Sequence, residues 1–133
     1  MTPRPWPPMT VARRRTGAIA EDLVARRLAA AGWEIVERNA RTRYGELDIV
    51  ARDGPTLVFI EVKGAREGTR FGPERPILSI DRRKQQRVRR LATAWMAERR
   101  DRPPYDEIRF DAVGVTLDRS DRPVHVDYVK GAF

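Results

Sequence analysis

The chain has no cysteine and a single histidine, His125. The lack of cysteine excludes disulfide bonds and thiolate metal sites, and it agrees with a reducing compartment. A single histidine also excludes a metal site built from several imidazoles. No apolar run approaches the ~20 residues of a membrane-spanning helix, and the N-terminus lacks the apolar segment of a secretory signal. These absences predict a cytoplasmic protein with no membrane partner.

Lysine is scarce as well, because nearly all of the basic residues are arginine. The 133 residues contain 27 Lys and Arg against 19 Asp and Glu, which gives a formal net charge of +8. The lysines are only Lys63, Lys84 and Lys130. This excess of positive charge favours a polyanionic partner, with nucleic acid as the first candidate, and the guanidinium group matches phosphate geometrically. The length fits one domain with a core of ordinary size.

A predicted β-hairpin carries most of the chemical information. Residues 46–52 and 56–63 have the composition of strands, and Asp53-Gly54-Pro55 between them is strong turn chemistry. Successive side chains of a strand point to opposite faces. Glu46 and Asp48 therefore share one face of the first strand, and Leu47 and Ile49 share the other.

The second strand of this hairpin ends in two charges. Glu61 and Lys63 follow the apolar run 57–60, and charges at the end of such a buried strand are costly unless they pair or bind a metal. Carboxylate oxygens suit Mg²⁺ or Mn²⁺, which can polarise a phosphodiester and activate water. A neighbouring lysine can stabilise phosphoryl charge, or orient or deprotonate the attacking water. The alternative is a salt bridge between Lys63 and either Asp48 or Glu61.

Apolar periodicity and turn residues predict the other elements. In chain order they are a disordered Pro/Arg-rich tail over 1–15, a helix from a Thr16 cap to about 31, a strand over 33–37, a basic loop over 38–43, a long loop over 64–77, a helix from Ser79 or Asp81 to about 100, and strands over 108–117 and 124–129. The order of helices and strands predicts an α/β sandwich. We expect one domain over residues 16–133.

Besides the N-terminal tail, the basic loop and the second helix are rich in arginine. The basic loop ends at Arg43, directly before the carboxylate strand, and it is interpreted either as a phosphate-contacting loop or as a solvated one. The second helix has an apolar face and an opposite basic face that includes Lys84 and Arg87. A charged face is usually only solvated, but this density of like charge favours a phosphate backbone.

With these residues in place, the chain resembles the YraN-like uncharacterised protein family. That family looks related to the PD-(D/E)xK (restriction endonuclease-like) nuclease superfamily and to archaeal Holliday junction resolvases. The resemblance covers about residues 16–129. It is carried by Gly17 and Glu21, Asn39, Gly45-Glu46-Leu47-Asp48, the run from Leu57 to Lys63, Lys84, and Arg109-Phe110-Asp111.

The resemblance implies a restriction endonuclease-like α-β-β-β-α-β-β sandwich with a central mixed sheet. It implies that Asp48, Glu61 and the carbonyl of Val62 bind Mg²⁺ or Mn²⁺, and that Lys63 is the catalytic lysine. Glu21 would approach the metal as a further acidic ligand or base. Glu46, on the same face as Asp48, would support the ligands without binding the metal itself. Lys84 and Gln85 would face the cleft from the second helix. The residues expected to contact nucleic acid are Arg43, Arg66, Lys84, Gln85 and Arg87.

These observations lead to one hypothesis with two alternatives. The leading hypothesis is a metal-dependent endonuclease that hydrolyses phosphodiester bonds in structured or branched DNA. The first alternative is a nucleic-acid-binding protein on a nuclease fold without physiological cleavage. The second is a basic protein bound to RNA or a ribonucleoprotein. DNA is favoured over RNA, and a homodimer is an expectation from the junction-cutting relatives.

Overall fold

The computed structural model describes residues 9–68 and 75–133. Its elements follow in the predicted order, with one short 3₁₀ turn before the second helix. They are α1 (Met9–Ala30), β1 (Glu34–Thr42), β2 (Gly45–Asp53), β3 (Thr56–Arg66), the 3₁₀ turn (Pro76–Ser79), α2 (Arg82–Glu98), β4 (Glu107–Leu117) and β5 (Pro123–Val129). The predicted α-β-β-β-α-β-β arrangement is confirmed.

The five strands form one mixed sheet in the order β1-β2-β3-β4-β5. Neighbouring strands are antiparallel except for β3 and β4, which run parallel and are joined through α2. The predicted hairpin connects β2 and β3 through Gly54 and Pro55, and Gly54 has the positive φ of 59° that such a turn requires. The apolar strand β3 is central in the sheet, and Leu57 to Ile60 are buried.

The helices cover opposite faces of the sheet, each over its own apolar core. Under α1, the sheet contributes Ile49, Ala51, Val58, Ile60, Val62, Val113, Val115 and Leu117. Under α2, it contributes Ala40, Leu47, Val50, Leu57 and Phe59, which pack against Val88, Leu91, Ala92 and Trp95. The predicted apolar face of the second helix is therefore the face that packs on the sheet. None of the helices within the described residues is long and apolar enough to span a membrane.

Helix α1 passes very close to the end of β3. A Cβ atom added at Gly64 would lie 2.8 Å from Cβ of Ala20 and 3.0 Å from the backbone oxygen of Thr16. Only glycine permits this approach without a shift of the helix or the strand. The contact places the middle of α1, where Glu21 follows Ala20, beside the C-terminal half of β3.

Helix α2 is fixed at both ends by polar contacts. Asp81 caps its N-terminus by accepting a hydrogen bond from the Lys84 backbone N–H, 3.0 Å away. Near the C-terminus, the indole of Trp95 and the guanidinium of Arg99 both donate to the carboxylate of Glu37 on β1. These contacts hold the basic helix in a defined position over its side of the sheet.

One carboxylate is fully buried and fully partnered. Asp111 on β4 accepts hydrogen bonds from Arg109, from the Tyr128 hydroxyl at 2.5 Å, and from the backbone N–H of Gly131 at 2.9 Å. Burial and this hydrogen bond raise the pKa of Tyr128. The network ties the end of β5 to β4, so the Arg109-Phe110-Asp111 motif has a structural role here.

The N-terminal prediction is wrong for residues 9–15, which are helical rather than part of a disordered tail. Arginine and alanine propagate a helix well, and no proline follows Pro8 until the helix has ended. Thr16 is inside the helix instead of capping it, and its hydroxyl donates to the carbonyl of Ala12. Residues 1–8 of the predicted tail lie outside the described residues.

Two segments predicted to be loops lie partly in strands, and residues 69–74 of the second one lie outside the described residues. The basic loop over 38–43 belongs mostly to β1, which continues to Thr42 because it pairs with β2 as far as Gly45. The predicted loop after Lys63 begins later, since β3 pairs with β4 through Arg66. In both cases strand pairing overrides a polar local composition.

The close approach at Gly64 yields a stability prediction. The substitution Gly64→Ala should lower the free energy of unfolding by about 1–3 kcal/mol, because the new methyl group meets Ala20 and a backbone oxygen. Urea unfolding followed by circular dichroism measures the change. Gly17→Ala in α1 is the matched control, since its Cβ would meet nothing within 4 Å. The control should be neutral or stabilising, and equal losses in both variants would contradict the packing argument.

Candidate active site

The pairing of β2 with β3 ends at Asp48. The last paired residues are Ile49 and Ile60, and beyond them the Asp48 carboxyl group accepts a hydrogen bond from the Val62 backbone N–H at 2.8 Å. A side chain thus replaces the backbone partner that β2 would otherwise supply. The strands separate at this point, and Asp48 is directed toward β3 rather than straight out of the sheet.

The alternation of side chains along β2 is broken at the same residue. Leu47 packs in the core under α2, whereas Ile49 packs in the core under α1. The prediction that these two residues share a face is therefore wrong. On β1, Asn39 lies opposite Asp48 between two paired positions and has a φ of 49°, a conformation that asparagine tolerates. Both strands depart from regular geometry where the carboxyl group is placed.

Three carboxyl groups from three elements meet at this break. Glu21 comes from α1, Asp48 from β2 and Glu61 from β3, and the two glutamic acids each form a side-chain hydrogen bond with Asp48. Burial raises the pKa of Glu21 to about 8, with further contributions from the hydrogen bond and charge of Asp48. Burial, followed by the charge and hydrogen bond of Asp48, raises the pKa of Glu61 to about 8. The group therefore retains protons at neutral pH.

Positive charges oppose this acidic group. Arg87 and Lys84, both on α2, lower the pKa of Glu61, and Arg38 on β1 lowers that of Glu21. The burial and carboxyl contributions outweigh them, since both pKa values remain raised. The acidic group therefore lies in the field of the basic helix.

The carboxyl groups line an open cleft of about 1490 Å³. Lys63 lies on its wall beside Glu61, and Lys84 and Arg87 line it from α2. The guanidinium of Arg87 passes over Gly45, where a Cβ atom would lie 3.3 Å from it. Gly45 has a φ of 142°, so both its backbone and its missing side chain suit this position.

Most of the predicted site residues meet in this cleft. Its lining includes Glu21, Glu46, Asp48, Glu61, Val62, Lys63, Arg66, Lys84 and Arg87. Glu46 is at the edge, half-exposed and paired with Arg41. Arg66 donates to the carbonyl of Asp118 at 3.2 Å and forms an ion pair with Asp121, which links the end of β3 to the turn before β5.

Two predicted residues lie outside the cleft lining. Arg43 is exposed in the β1–β2 turn, with its guanidinium 5.5 Å from the centre of the Tyr44 ring. Gln85 is on a different side of α2, where its amide donates to the carbonyl of Ile80 at 3.4 Å. A helix turns by about 100° per residue, so neighbours of a cleft residue such as Lys84 are directed elsewhere.

The chemistry of the site suits a hard divalent cation. All of its side-chain ligands are carboxylate oxygens, and Mg²⁺ commonly takes one or two carboxylates while keeping several waters. A cation can replace the protons that Glu21 and Glu61 hold in its absence. Within residues 9–68 and 75–133, however, no three or more His, Cys, Asp or Glu side chains are placed so that they could hold a metal ion together. The donors therefore fit a water-rich ion held mainly by Asp48 and Glu61.

The sequence did not predict two residues that line the opposite wall of the cleft. Arg75 and His125 line it there, and both contact the carboxylate of Asp127. The guanidinium of Arg75 lowers the pKa of Asp127. The alternation of β5 places His125 and Asp127 on one face, but nothing in the sequence places that face beside Lys63.

Comparisons with known proteins agree on one family. The model of "Uncharacterised protein family UPF0102" matches residues 20–115. A UPF0102 protein of Nocardia farcinica is 47% identical over 121 residues, which is 91% of each chain. A UPF0102 protein of Moorella thermoacetica is 46% identical over 125 residues, covering 94% of this chain and all of the relative. The chain therefore belongs to the UPF0102 family, the YraN-like family whose motifs its sequence carries.

Proposed function

We propose that the protein is a metal-dependent endonuclease that hydrolyses phosphodiester bonds in structured or branched DNA. One observation carries the proposal: the carboxyl groups of Glu21, Asp48 and Glu61 converge from three elements beside Lys63. Such a buried acidic group is unfavourable for stability, and strongly perturbed carboxyl groups in a cleft are typical of functional sites.

Asp48 and Glu61 are the residues that would hold Mg²⁺ or Mn²⁺, with the carbonyl of Val62 as a further ligand by resemblance. The bound ion would polarise the phosphodiester and lower the pKa of water. Asp48 is well suited to this role, because its hydrogen bond from Val62 fixes its orientation.

The other cleft residues have roles set by their charge. Lys63 lies where it can stabilise charge on the phosphoryl oxygens or orient the attacking water. Glu21 has a pKa of about 8 in the metal-free protein, so it can take up and release a proton near neutral pH. Lys84 and Arg87 face the acidic group from α2 and would bind the phosphates that flank the reacting one.

DNA as the substrate is supported by charge and by exposure. The formal net charge is +8, and the cleft is bordered by a helix with many exposed arginines. These are Arg82, Arg83, Arg87, Arg89 and Arg90. A basic helix next to a large open cleft suits a backbone that continues past the reacting phosphate. The preference for branched DNA follows from the resemblance to junction resolvases.

Two observations favour a second candidate, nucleic-acid binding without cleavage. No three His, Cys, Asp or Glu side chains of the described residues could hold a metal ion together, and Glu21 and Glu61 are joined to Asp48 by hydrogen bonds. With protons on Glu21 and Glu61, the site would repel a phosphate backbone less and could bind it without cleaving it. Cleavage assays separate the two candidates directly.

The first test is cleavage of a labelled panel of four-way junction, flap, single strand, linear duplex and RNA. Wild-type protein should cut branched DNA with Mg²⁺ or Mn²⁺ and not with EDTA. Asp48→Asn and Lys63→Ala should each lower the rate by about 10²-fold or more, because each removes a charge that acts on the reacting phosphate.

Asp22→Asn is the matched control for Asp48→Asn. Asp22 follows Glu21 on α1, but it pairs with Arg26 and Arg38 outside the cleft lining. The control should cut at the wild-type rate. Binding of DNA without cutting in any metal would instead establish the second candidate.

The raised pKa values also predict how stability depends on pH. Glu21 and Glu61 have pKa values of about 8 in the folded protein, against an ordinary value of 4.5, so the folded state binds more protons between these limits. The free energy of unfolding of the metal-free protein should therefore fall as pH rises from about 5 to about 8.5. Thermal unfolding in EDTA across this range measures the trend.

Added Mg²⁺ should oppose this loss of stability at high pH, because only deprotonated carboxylates bind the ion. The increase in Tm on adding Mg²⁺ should be larger at about pH 8.5 than at about pH 5.5. The variant with both Glu21→Gln and Glu61→Gln should lose the pH trend. A Tm that is independent of both pH and Mg²⁺ in the wild type would contradict the metal site.

A further inference from the structure

An aromatic side chain is exposed two residues before Glu46, which lines the cleft. Tyr44 lies in the turn between β1 and β2, and 60% of its surface is accessible. Among the described aromatic residues, it is the one whose side chain is mostly exposed. Its ring contributes to neither of the two apolar cores. Packing therefore does not account for a tyrosine at this position.

The turn that presents this ring is well fixed. The hydroxyl of Thr42 donates to the carbonyl of Gly45 at 2.8 Å and accepts from the backbone N–H of Tyr44 at 3.1 Å. The backbone N–H of Arg43 donates to Glu98 on α2 at 3.3 Å. These bonds hold the turn against both the strand and the helix. An aromatic ring on a fixed turn loses little conformational entropy when a ligand contacts it.

The ring is also close to the proposed catalytic group along β2. Tyr44 precedes Asp48 by four residues, so their Cα atoms are at most about 13 Å apart at the rise of a strand. This distance corresponds to about four stacked bases at 3.4 Å each. A Cβ atom added at the next residue, Gly45, would lie 3.3 Å from the guanidinium of Arg87 on the cleft wall. A strand bound at the carboxyl groups would pass Tyr44 within a few nucleotides.

The charge beside the ring suits a nucleotide. The guanidinium of Arg43 lies 5.5 Å from the ring centre, and most of the tyrosine remains accessible despite this contact. A stacked base would meet the aromatic surface, and its phosphate would be near a positive charge. This gives Arg43, which lies outside the cleft lining, a place on the path of the nucleic acid.

We propose that Tyr44 is a stacking site for an unpaired base of nucleic acid whose backbone occupies the cleft. The inference rests on the proposed function and deepens it by naming a feature of the substrate. Bases inside an intact duplex are covered by their neighbours, so we expect an exposed ring to stack on a base that is unpaired or displaced from the duplex. The preferred substrate therefore has unpaired nucleotides beside the duplex.

The test measures DNA binding in EDTA, so that it does not depend on cleavage. Fluorescence anisotropy compares a blunt duplex with a duplex of the same length that carries a single-stranded overhang. Tyr44→Ala should weaken binding of the overhang DNA by at least about fivefold and leave the blunt duplex within about twofold. Tyr44→Phe should bind both DNAs as the wild type does, since it retains the ring.

A second readout reports stacking itself. With 2-aminopurine in the overhang, wild-type protein should quench the fluorescence and Tyr44→Ala should not. Val129→Ala is the control for loss of an exposed apolar side chain, because Val129 is 44% accessible and lies outside the cleft lining. It should behave as wild type. Circular dichroism checks that every variant is folded.

Several outcomes overturn the inference and are distinguishable from failure of the proposed function. Equal weakening of both DNAs by Tyr44→Ala, or a Tyr44→Phe variant as weak as Tyr44→Ala, excludes base stacking while nucleic-acid binding stands. Wild-type binding of both DNAs by Tyr44→Ala also excludes it, and leaves the ring as a contact for a protein partner. A wild-type protein that binds no DNA overturns both proposals.

Discussion

The hydrogen bond from the Val62 N–H to the Asp48 carboxyl group marks the point on which the site depends. It occurs where the pairing of β2 and β3 stops, so a side chain takes the place of a backbone carbonyl. The same break moves Leu47 and Ile49 to opposite faces of the sheet. In a regular β-ladder, the side chains of β2 would alternate between the two faces of the sheet through Asp48. The Asp48 carboxyl group would then not bond to β3.

The position of the third carboxyl group, that of Glu21, depends on how closely α1 approaches the sheet. Gly64 lets α1 come so near to β3 that a single methyl group would collide with Ala20. Glu21, the next residue along the helix, is thereby brought to Asp48 and Glu61. Burying three acids together is unfavourable, and the protein moderates the cost by keeping protons on Glu21 and Glu61 and by facing Lys84 and Arg87 toward the group.

The basic helix borders the cleft, and the β1–β2 turn lies next to the cleft residue Glu46. Helix α2 is tied to β1 through Glu37, Trp95 and Arg99, and the turn at Tyr44 is tied to α2 through Glu98. The positive charges and the exposed ring are therefore held on one rigid frame with the carboxyl groups. Such preorganisation suits the proposed alignment of a nucleic-acid strand with the carboxyl groups.

The sequence by itself determined the elements whose signal is local. The turn at Asp53-Gly54-Pro55, the apolar strand ending in Glu61 and Lys63, and the amphipathic second helix follow from periodicity and turn chemistry. Motif resemblance added Glu21 and Asp48. Tertiary structure alone decided the break at Asp48, the absence of Arg43 and Gln85 from the cleft lining, and the presence there of Arg75 and His125. The physical reason is that periodicity fixes a side chain relative to its own element, whereas the meeting of distant elements is set by packing and strand pairing.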